Sequence, residues 1–311
     1  MNDTIELVSE VAGFYTLELF RVDATGAEIK GSRRRPVPTF KNLITNAGLD
    51  RMGAFTDYTN FCQVGSGATP PAVGDSGLVA KVAGVGTPVS RVTANQPSAP
   101  YYASTTKTFE FGVGVAAGNL SEVGIGWADT GSLFSRALIV DGSGSPTTIT
   151  VLPDEILQVT YQLRYYAPTV DNSGNLTLNG VSTDWVSRAS NVTVAVGGWN
   201  SPGDTSAGFD STSSYQRVHD GVVSADVTSS PSGTQSERTS ASDAAYSAGS
   251  YARSGNCVWG LAQGNFATGI KSAFVRHGVG SYQIGFTPAI MKTSSQVLTL
   301  TFRHAWARKA L

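Results

Sequence analysis

Two carboxylates, Glu110 and Glu122, are the side chains whose type and spacing come nearest to catalytic chemistry in this sequence. Each lies in a segment with the residue alternation of a strand, and we expect the two strands to be neighbours. Glycosidases place two carboxylates about 5 to 10 Å apart around the bond that they cleave. Carboxylates on strands more often face water or pair with an arginine such as Arg136. We therefore leave both alternatives open for Glu110 and Glu122 and predict no catalytic residues.

Two glycine-rich segments superficially resemble nucleotide-binding loops. In a phosphate-binding loop a lysine follows the second glycine directly, so that its ammonium and the backbone amides reach one phosphate. In the segment 264–272 (GNFATGIKS), Ile270 separates that glycine from the lysine. The segment 112–118 (GVGVAAG) has the wrong spacing for a dinucleotide fingerprint, and no βαβ pattern follows it. The sequence therefore predicts no nucleotide cofactor.

Histidine and cysteine form no recognisable catalytic or metal-binding pattern. His219, His277 and His304 are scattered along the chain, and His304 is expected at a surface or an interface. Cys62 and Cys257 are far apart and are predicted to be buried free thiols rather than a disulfide. This set does not have the spacing of a zinc site. We predict no metal, no cofactor and no enzymatic activity.

Binding is the other chemistry that the side chains offer. The basic triplet Arg33, Arg34 and Arg35 precedes a proline-restricted segment, which favours a solvated edge or an interface strand. We interpret the triplet as a candidate contact for a partner. Aromatic side chains are favoured at interfaces. Four of them in the C-terminal half are candidate contacts for a host receptor: Trp199, Tyr215, Tyr246 and Tyr251.

The composition restricts the class of protein. The chain has 311 residues, a net charge of −1 and 14% charged residues, which is well under the usual share. A near-neutral chain lacks the basic field of a nucleic-acid binder. No apolar run is long enough to span a bilayer, and the N-terminal residues lack the pattern of a secretory signal. We expect no nucleic-acid partner and no membrane insertion.

Alternation of apolar and polar residues predicts an all-β, mainly antiparallel fold. The clearest strand is 156–165, in which Leu157, Val159 and Tyr161 share one apolar face. Further strands are predicted at 14–23, 61–64, 101–111, 119–127, 133–140, 175–178, 192–196, 281–288 and 297–306. Residues 224–255 are rich in Ser and Gly, which fits either a flexible loop or a series of short strands.

A few short helices and two domains complete the predicted architecture. One helix is predicted at 47–55, with Asn46 as its N-cap, and another at 76–82. The strands predict two β-sandwich or jelly-roll-like domains, 1–168 and 169–311.

Four segments of the first half follow one another in a set order and spacing. They are 42–50 (NLITNAGLD), 64–78 (VGSGATPPAVGDSGL), 121–127 (SEVGIGW) and 133–137 (LFSRA). Together, over about residues 13–166, they resemble tail and tail-fibre structural proteins of tailed bacteriophages. The C-terminal ending, 286–308, resembles the same class of virion proteins.

The resemblance implies a non-enzymatic, β-rich and oligomeric subunit of a phage tail, in a fibre, a baseplate or a fibre connector. Other tail proteins are then its partners, and it is located in the virion tail and, during assembly, in the host cytoplasm. A receptor-binding module for a host surface polysaccharide is the alternative, and a polysaccharide hydrolase is a third possibility. The N-terminal domain is expected to dock onto the particle, and the C-terminal domain, with its Ser- and Gly-rich loops, is expected to face outward.

A homo-oligomer is expected because charge is scarce along the strongest strands. Residues 156–163 and 297–302 carry no charged side chain. Such strands must lie inside a sheet or be covered by another chain, because exposed edges are usually protected by charge. The resemblance to fibre proteins favours a trimer.

Overall fold

The computed structural model describes residues 4–54, 57–195, 198–199, 202, 207 and 215–310. Within these residues the chain is almost entirely β-structure, in several mainly antiparallel sheets with one helix. The predicted all-β fold is therefore confirmed, and its architecture is β-sandwich-like.

The strands are numbered in chain order. The first seven are β1 Thr4–Arg21, β2 Phe40–Lys41, β3 Leu43–Ile44, β4 Phe61–Gly65, β5 Lys81–Gly86, β6 Ser90–Asn95 and β7 Tyr102–Phe111. The next seven are β8 Gly118–Leu120, β9 Glu122–Gly126, β10 Leu133–Leu138, β11 Ile149–Val151, β12 Glu155–Tyr166, β13 Asn172–Leu178 and β14 Val181–Ser190. The last seven are β15 Arg217–His219, β16 Gln235–Glu237, β17 Ser240–Asp243, β18 Ala252–Trp259, β19 Ile270–Arg276, β20 Ser281–Ile290 and β21 Leu298–Arg308.

The strands of the described residues are arranged in four sheets. The largest has the order β17-β18-β21-β1-β12-β7-β6, with β2 paired to β1 outside this path. A five-stranded sheet has the order β3-β10-β9-β4-β5, and β11 pairs with β8. A six-stranded sheet has the order β13-β14-β20-β19-β15-β16.

The chain divides into two compact units. The central unit contains residues 12–93 and 105–164, and the terminal unit contains residues 1–11, 94–104 and 165–311. This division differs from a single boundary near residue 168. The reason is that β1 pairs in parallel with β21, from Thr4 opposite Thr301 to Val11 opposite Arg308.

The predicted short helix near residue 47 is confirmed as α1, Asn46–Ala54. Its cap is Thr45 and not the predicted Asn46, because the Oγ1 of Thr45 accepts a hydrogen bond from the Gly48 amide at 2.8 Å. Leu49 and Met52, one helical turn apart, are both buried. The predicted last residue of this helix, Phe55, lies outside the described residues.

The second predicted helix, at 76–82, is wrong. The amides of Val79 and Ala80 donate to the carboxylate of Glu122 over 3.1 and 2.8 Å. Residues 76–80 form an irregular loop with bends and no helical turn, and β5 begins at Lys81.

The structure also decides two predictions for the second half of the chain. The strand predicted at 192–196 is absent from its described part, because residues 192–195 are irregular and contain turns, and Val196 lies outside the described residues. Within 224–255 the chain forms the short strands β16 and β17 and the start of β18, which is the second of the two predicted alternatives.

Buried tyrosines join the sheets of the central unit. The rings of Tyr15 and Tyr161 lie 4.9 Å apart, and the hydroxyl of Tyr15 is 2.9 Å from that of Ser135. The Nδ2 of Asn42 donates to the Tyr161 hydroxyl at 3.0 Å. These bonds satisfy polar groups that would otherwise destabilise the core. Among the described residues, no helix is long and apolar enough to cross a bilayer.

Candidate functional site

Glu122 and Arg136 form a buried ion pair between the adjacent strands β9 and β10. The Nε of Arg136 donates to the Oε2 of Glu122 over 2.9 Å, and the two side chains are 1% and 0% exposed. The carboxylate also accepts from the amides of Gly67, Val79 and Ala80. The sequence left two alternatives for Glu122, exposure to water or pairing with an arginine such as Arg136, and the structure shows the second.

The same guanidinium binds the loop that connects β4 to β5. Its Nη1 donates to the Oδ2 of Asp75 and its Nη2 to the carbonyl of Thr69, both over 2.8 Å. A buried arginine needs this number of acceptors to offset the loss of water. Glu122 and Arg136 thus hold the residues 66–80 in place, which is a structural role.

Glu110 does not share a site with Glu122. It lies on β7, in the largest sheet, whereas Glu122 lies on β9, in the five-stranded sheet. The expectation that their strands are neighbours is therefore wrong. The Oε2 of Glu110 accepts a hydrogen bond from Gln158 at 3.3 Å, so the two carboxylates have different partners.

The basic triplet is paired with carboxylates of the same unit. Arg33 binds Glu28 at 2.6 Å and Glu18 at 2.8 Å, and Arg35 binds Glu18 at 3.2 Å. The guanidinium of Arg33 also lies 4.1 Å from the centre of the Phe20 ring. These contacts offset the positive charges within the chain.

Arg34 completes the triplet through a bond to a more buried partner. Its Nη2 lies 3.0 Å from Glu155, whose side chain is 5% exposed. Its backbone pairs with Leu19 of β1, which makes the segment an edge of β-structure, as predicted. About half of the Arg34 and Arg35 side-chain surface is exposed, so a partner contact for the triplet stays a prediction.

His304 lies in the core of the terminal unit, so the expectation of a surface or interface histidine is wrong. Its Nε2 is 3.0 Å from the hydroxyl of Ser9, and its Nδ1 is 3.1 Å from the carbonyl oxygen of Ala207. Burial lowers the pKa of His304 to about 4. The ring of His277 lies 4.8 Å away, and its pKa is well below the usual value because of burial and the proximity of His304.

The two cysteines are buried free thiols, as predicted. Burial raises the pKa of Cys257 to about 12 and raises that of Cys62 well above its usual value. Because the thiolate is the reactive form, neither side chain has the properties of a nucleophile. Among the described residues, no group of three or more His, Cys, Asp or Glu side chains is placed to hold a metal ion.

Trp199, a predicted receptor contact, is completely buried. Its indole Nε1 donates to the Ser190 carbonyl at 3.2 Å, and its ring lies 5.7 Å from that of Tyr282. A side chain without exposed surface cannot present a face to a receptor. This corrects the assignment of Trp199, which contributes to the core instead.

The other predicted aromatic contacts are half-buried. Tyr246 stacks on Trp306 with ring centres 6.0 Å apart. Tyr251 has a φ of 44° and accepts the backbone amide of Trp306. Each keeps some surface for a ligand, but both are engaged by the end of β21.

Tyr215 is the predicted contact that lines a cavity of the terminal unit. The cavity has a volume of about 200 Å³, and its wall includes Tyr215, Arg217, His219, Gln235 and Phe274. We call it the His219 cavity. The sequence did not identify His219 as a binding residue. The signal for it was the alternation of the polar Arg217 and His219 with the apolar Val218, which indicates a short strand with His219 on its polar face.

No protein-family model, no curated protein and no solved structure matches the chain. The functional proposal therefore depends on the residues and contacts of the chain itself.

Proposed function

We propose that the chain is a non-enzymatic structural subunit of a tailed-bacteriophage tail, in a fibre, a baseplate or a fibre connector. It assembles with copies of itself, most simply as a trimer, and with other tail proteins, and it needs no cofactor. Its place is the tail of the virion, after assembly in the host cytoplasm. The order of the resembling segments along residues 13–166 supports this class of protein.

The observation that carries the assembly proposal is a pair of open strand edges. β5 ends the five-stranded sheet and β6 ends the largest sheet, among the described strands. Five of the six residues of β6 are exposed. Exposed aliphatic side chains cluster on and around these strands, with 44 to 62% of their surface accessible: Val79, Val82, Val89 and Val92.

These edges have little of the charge that normally prevents pairing. β5 carries Lys81, whose Nζ is bound to Asp129 at 2.9 Å, and β6 carries Arg91. An exposed edge with apolar side chains and few charges is a template for another strand. A second copy of this chain is the occupant that we propose, because a net charge of −1 opposes self-association only weakly.

The lack of charge on β12 and β21, which first suggested an oligomer, has a different explanation. β21 lies between β18 and β1, and β12 lies between β1 and β7. Internal strands need no protective charge. The proposal of an oligomer therefore depends on β5 and β6 and not on those strands.

Purified particles offer the test of the tail role. Peptide mass spectrometry of phage particles from cells that make the chain should detect it, and immunogold labelling should place it on the tail. Its absence from particles, or labelling on the head alone, would contradict the proposal.

A receptor-binding module for a host surface polysaccharide is the second candidate. The observation that favours it is the His219 cavity, which combines an aromatic ring with polar side chains. Incubation of the chain with host envelope glycans separates the candidates. Binding without cleavage supports the receptor module, whereas release of oligosaccharide would indicate a hydrolase.

A further inference from the structure

Strands β15, β16 and β19 place four side chains on one face of the six-stranded sheet. His219 lies opposite Gln235 on β16, and Arg217 lies opposite Phe274 on β19. Residues two positions apart on a strand share a face, and directly opposed residues do so too. The four side chains therefore form one wall of the His219 cavity, while Val218 points into the core.

His219 has hydrogen-bonding capacity that the described part of the chain does not use. Its residue surface is 5% exposed, and neither Nδ1 nor Nε2 has a hydrogen-bond partner there. The backbone of Ser232 lies close to the ring but outside hydrogen-bonding geometry. Buried polar groups are normally paired, so this covered imidazole at the cavity wall holds a donor and an acceptor that the described residues do not use.

The ring of His219 is neutral at neutral pH. Burial, and secondarily the nearby guanidinium of Arg217, lower the pKa of this histidine. A neutral imidazole presents one N–H donor and one lone-pair acceptor. A hydroxyl group both donates and accepts, so hydroxyls satisfy both nitrogens. An ionised carboxylate only accepts and would leave the lone pair without a donor.

The charges around the cavity also disfavour an anion. Arg217 is bound to Glu237, with 3.3 Å between Nη2 and Oε1, and its Nη1 donates to the Oε1 of Gln235. A guanidinium that is already paired attracts a further anion weakly. The polar groups that remain suit an uncharged ligand.

Two aromatic side chains supply apolar surface beside these polar groups. Tyr215 is half-buried, and the guanidinium groups of Arg217 and Arg276 lie 5.6 and 5.2 Å from its ring centre, which fixes the ring. Phe274 is 4% exposed. A ligand with apolar C–H groups on one side and hydroxyls on its rim matches such a wall.

We propose that the His219 cavity binds one uncharged sugar residue of a glycan through His219, Gln235 and Tyr215. The volume of about 200 Å³ fits a single ring, because a cavity of about 150 Å³ already holds benzene. This inference rests on the receptor-binding candidate and names the ligand class. It is independent of tail assembly.

The test measures binding of single sugars to the full-length chain by saturation-transfer NMR and calorimetry. The probes are glucose, galactose, mannose and N-acetylglucosamine, with glucuronate and inorganic phosphate as anionic counterparts. We expect at least one neutral sugar to bind, and both anions to bind more weakly. His219→Phe keeps a ring of similar size without nitrogens, and we expect it to weaken that binding by about tenfold or more.

Two further variants make the result specific. His219→Gln keeps a donor and an acceptor and should retain more of the binding than His219→Phe. Val297→Ala changes an exposed side chain outside the cavity wall, and this variant should bind as the wild type does. The thermal midpoint of His219→Phe should not fall, because the replaced nitrogens have no described partner.

Three results would overturn the inference: no binding of any neutral sugar, equal binding by His219→Phe, or preferential binding of the anions. If no sugar binds but labelled chain still adsorbs to host cells, the ligand class is wrong and the receptor-binding candidate survives. If neither occurs, both are wrong, and the tail role is still judged by its own test.

Discussion

The Nε of Arg136 lies 2.9 Å from the Oε2 of Glu122, and neither side chain has more than 1% of its surface exposed. Glu122 resembled one half of a catalytic carboxylate pair, but its oxygens are occupied by Arg136 and by three backbone amides. The ion pair therefore organises a loop of the central unit.

Replacement of Glu122 by glutamine should strongly destabilise the protein. Gln keeps the side-chain volume but leaves the buried guanidinium of Arg136 without its charge partner. Removing one partner of a buried pair costs about 3–5 kcal/mol. Urea unfolding followed by circular dichroism measures the loss.

The matched control is Asp154→Asn, because the Asp154–Arg21 pair has side chains 62% and 45% exposed. For this variant we expect a loss of about 1 kcal/mol or less. Equal losses in the two variants would contradict this account.

Gly48→Ala should destabilise the protein although alanine favours helices. Gly48 lies inside α1, where alanine normally contributes roughly 1 kcal/mol relative to glycine. Here an added Cβ would lie 2.3 Å from the backbone oxygen of Phe134 on β10, which cannot move aside as a flexible side chain would. We expect a net loss of about 1–3 kcal/mol.

The control for this substitution is Gly74→Ala. No atom lies within 4 Å of a Cβ at Gly74, and its φ is not positive. Its stability should stay within about 0.5 kcal/mol of the wild type. A stabilised Gly48→Ala variant would show that α1 does not approach β10 as closely as described.

Acidification should destabilise the protein between about pH 6.5 and pH 4. In that window the histidines of the unfolded chain bind protons, whereas His304, with a folded pKa of about 4, and His277, also with a lowered pKa, stay neutral in the folded state. The unfolded state therefore gains protons first, and the free energy of unfolding falls by up to about 1.4 kcal/mol per pH unit for each histidine. The stability contribution is fully present above the unfolded pKa and is lost as the pH falls to the folded pKa.

Thermal or urea unfolding at several pH values measures this slope. His304→Gln keeps hydrogen-bonding groups but removes one titration, so its slope should be smaller than that of the wild type. Identical slopes for the two proteins would mean that His304 is not protected from protonation in the folded state.

Strands with an amphipathic pattern were predictable from the sequence, and strands without one were not. β12 and β21 alternate clearly, and both were identified. The alternation did not indicate β5 and β6, whose exposed residues include valines. It also did not indicate that β1 pairs in parallel with β21. Pairing between the two ends of a chain depends on long-range contacts that local periodicity does not encode.

The candidate site shows the same limit at the level of single side chains. The sequence selected Tyr215, which lines the His219 cavity, by residue type, and it selected the buried Trp199 for the same reason. Burial is decided by packing, and an indole is as suitable for a core as for a surface. His219 was not selected because its lack of a hydrogen-bond partner among the described residues is visible only in the folded structure.

Light scattering of the purified wild-type chain at micromolar concentration, beside its Val92→Lys variant, tests the central claim most directly. Val92 is 58% exposed on the open strand β6, where a lysine would oppose strand pairing. Val113→Lys is the control, because Val113 is 51% exposed outside the strands. We expect the wild type and the control to form an oligomer, with a trimer favoured, and Val92→Lys to shift toward the 32.4 kDa single chain. A wild-type chain that remains a 32.4 kDa monomer throughout this range would contradict self-assembly through these edges.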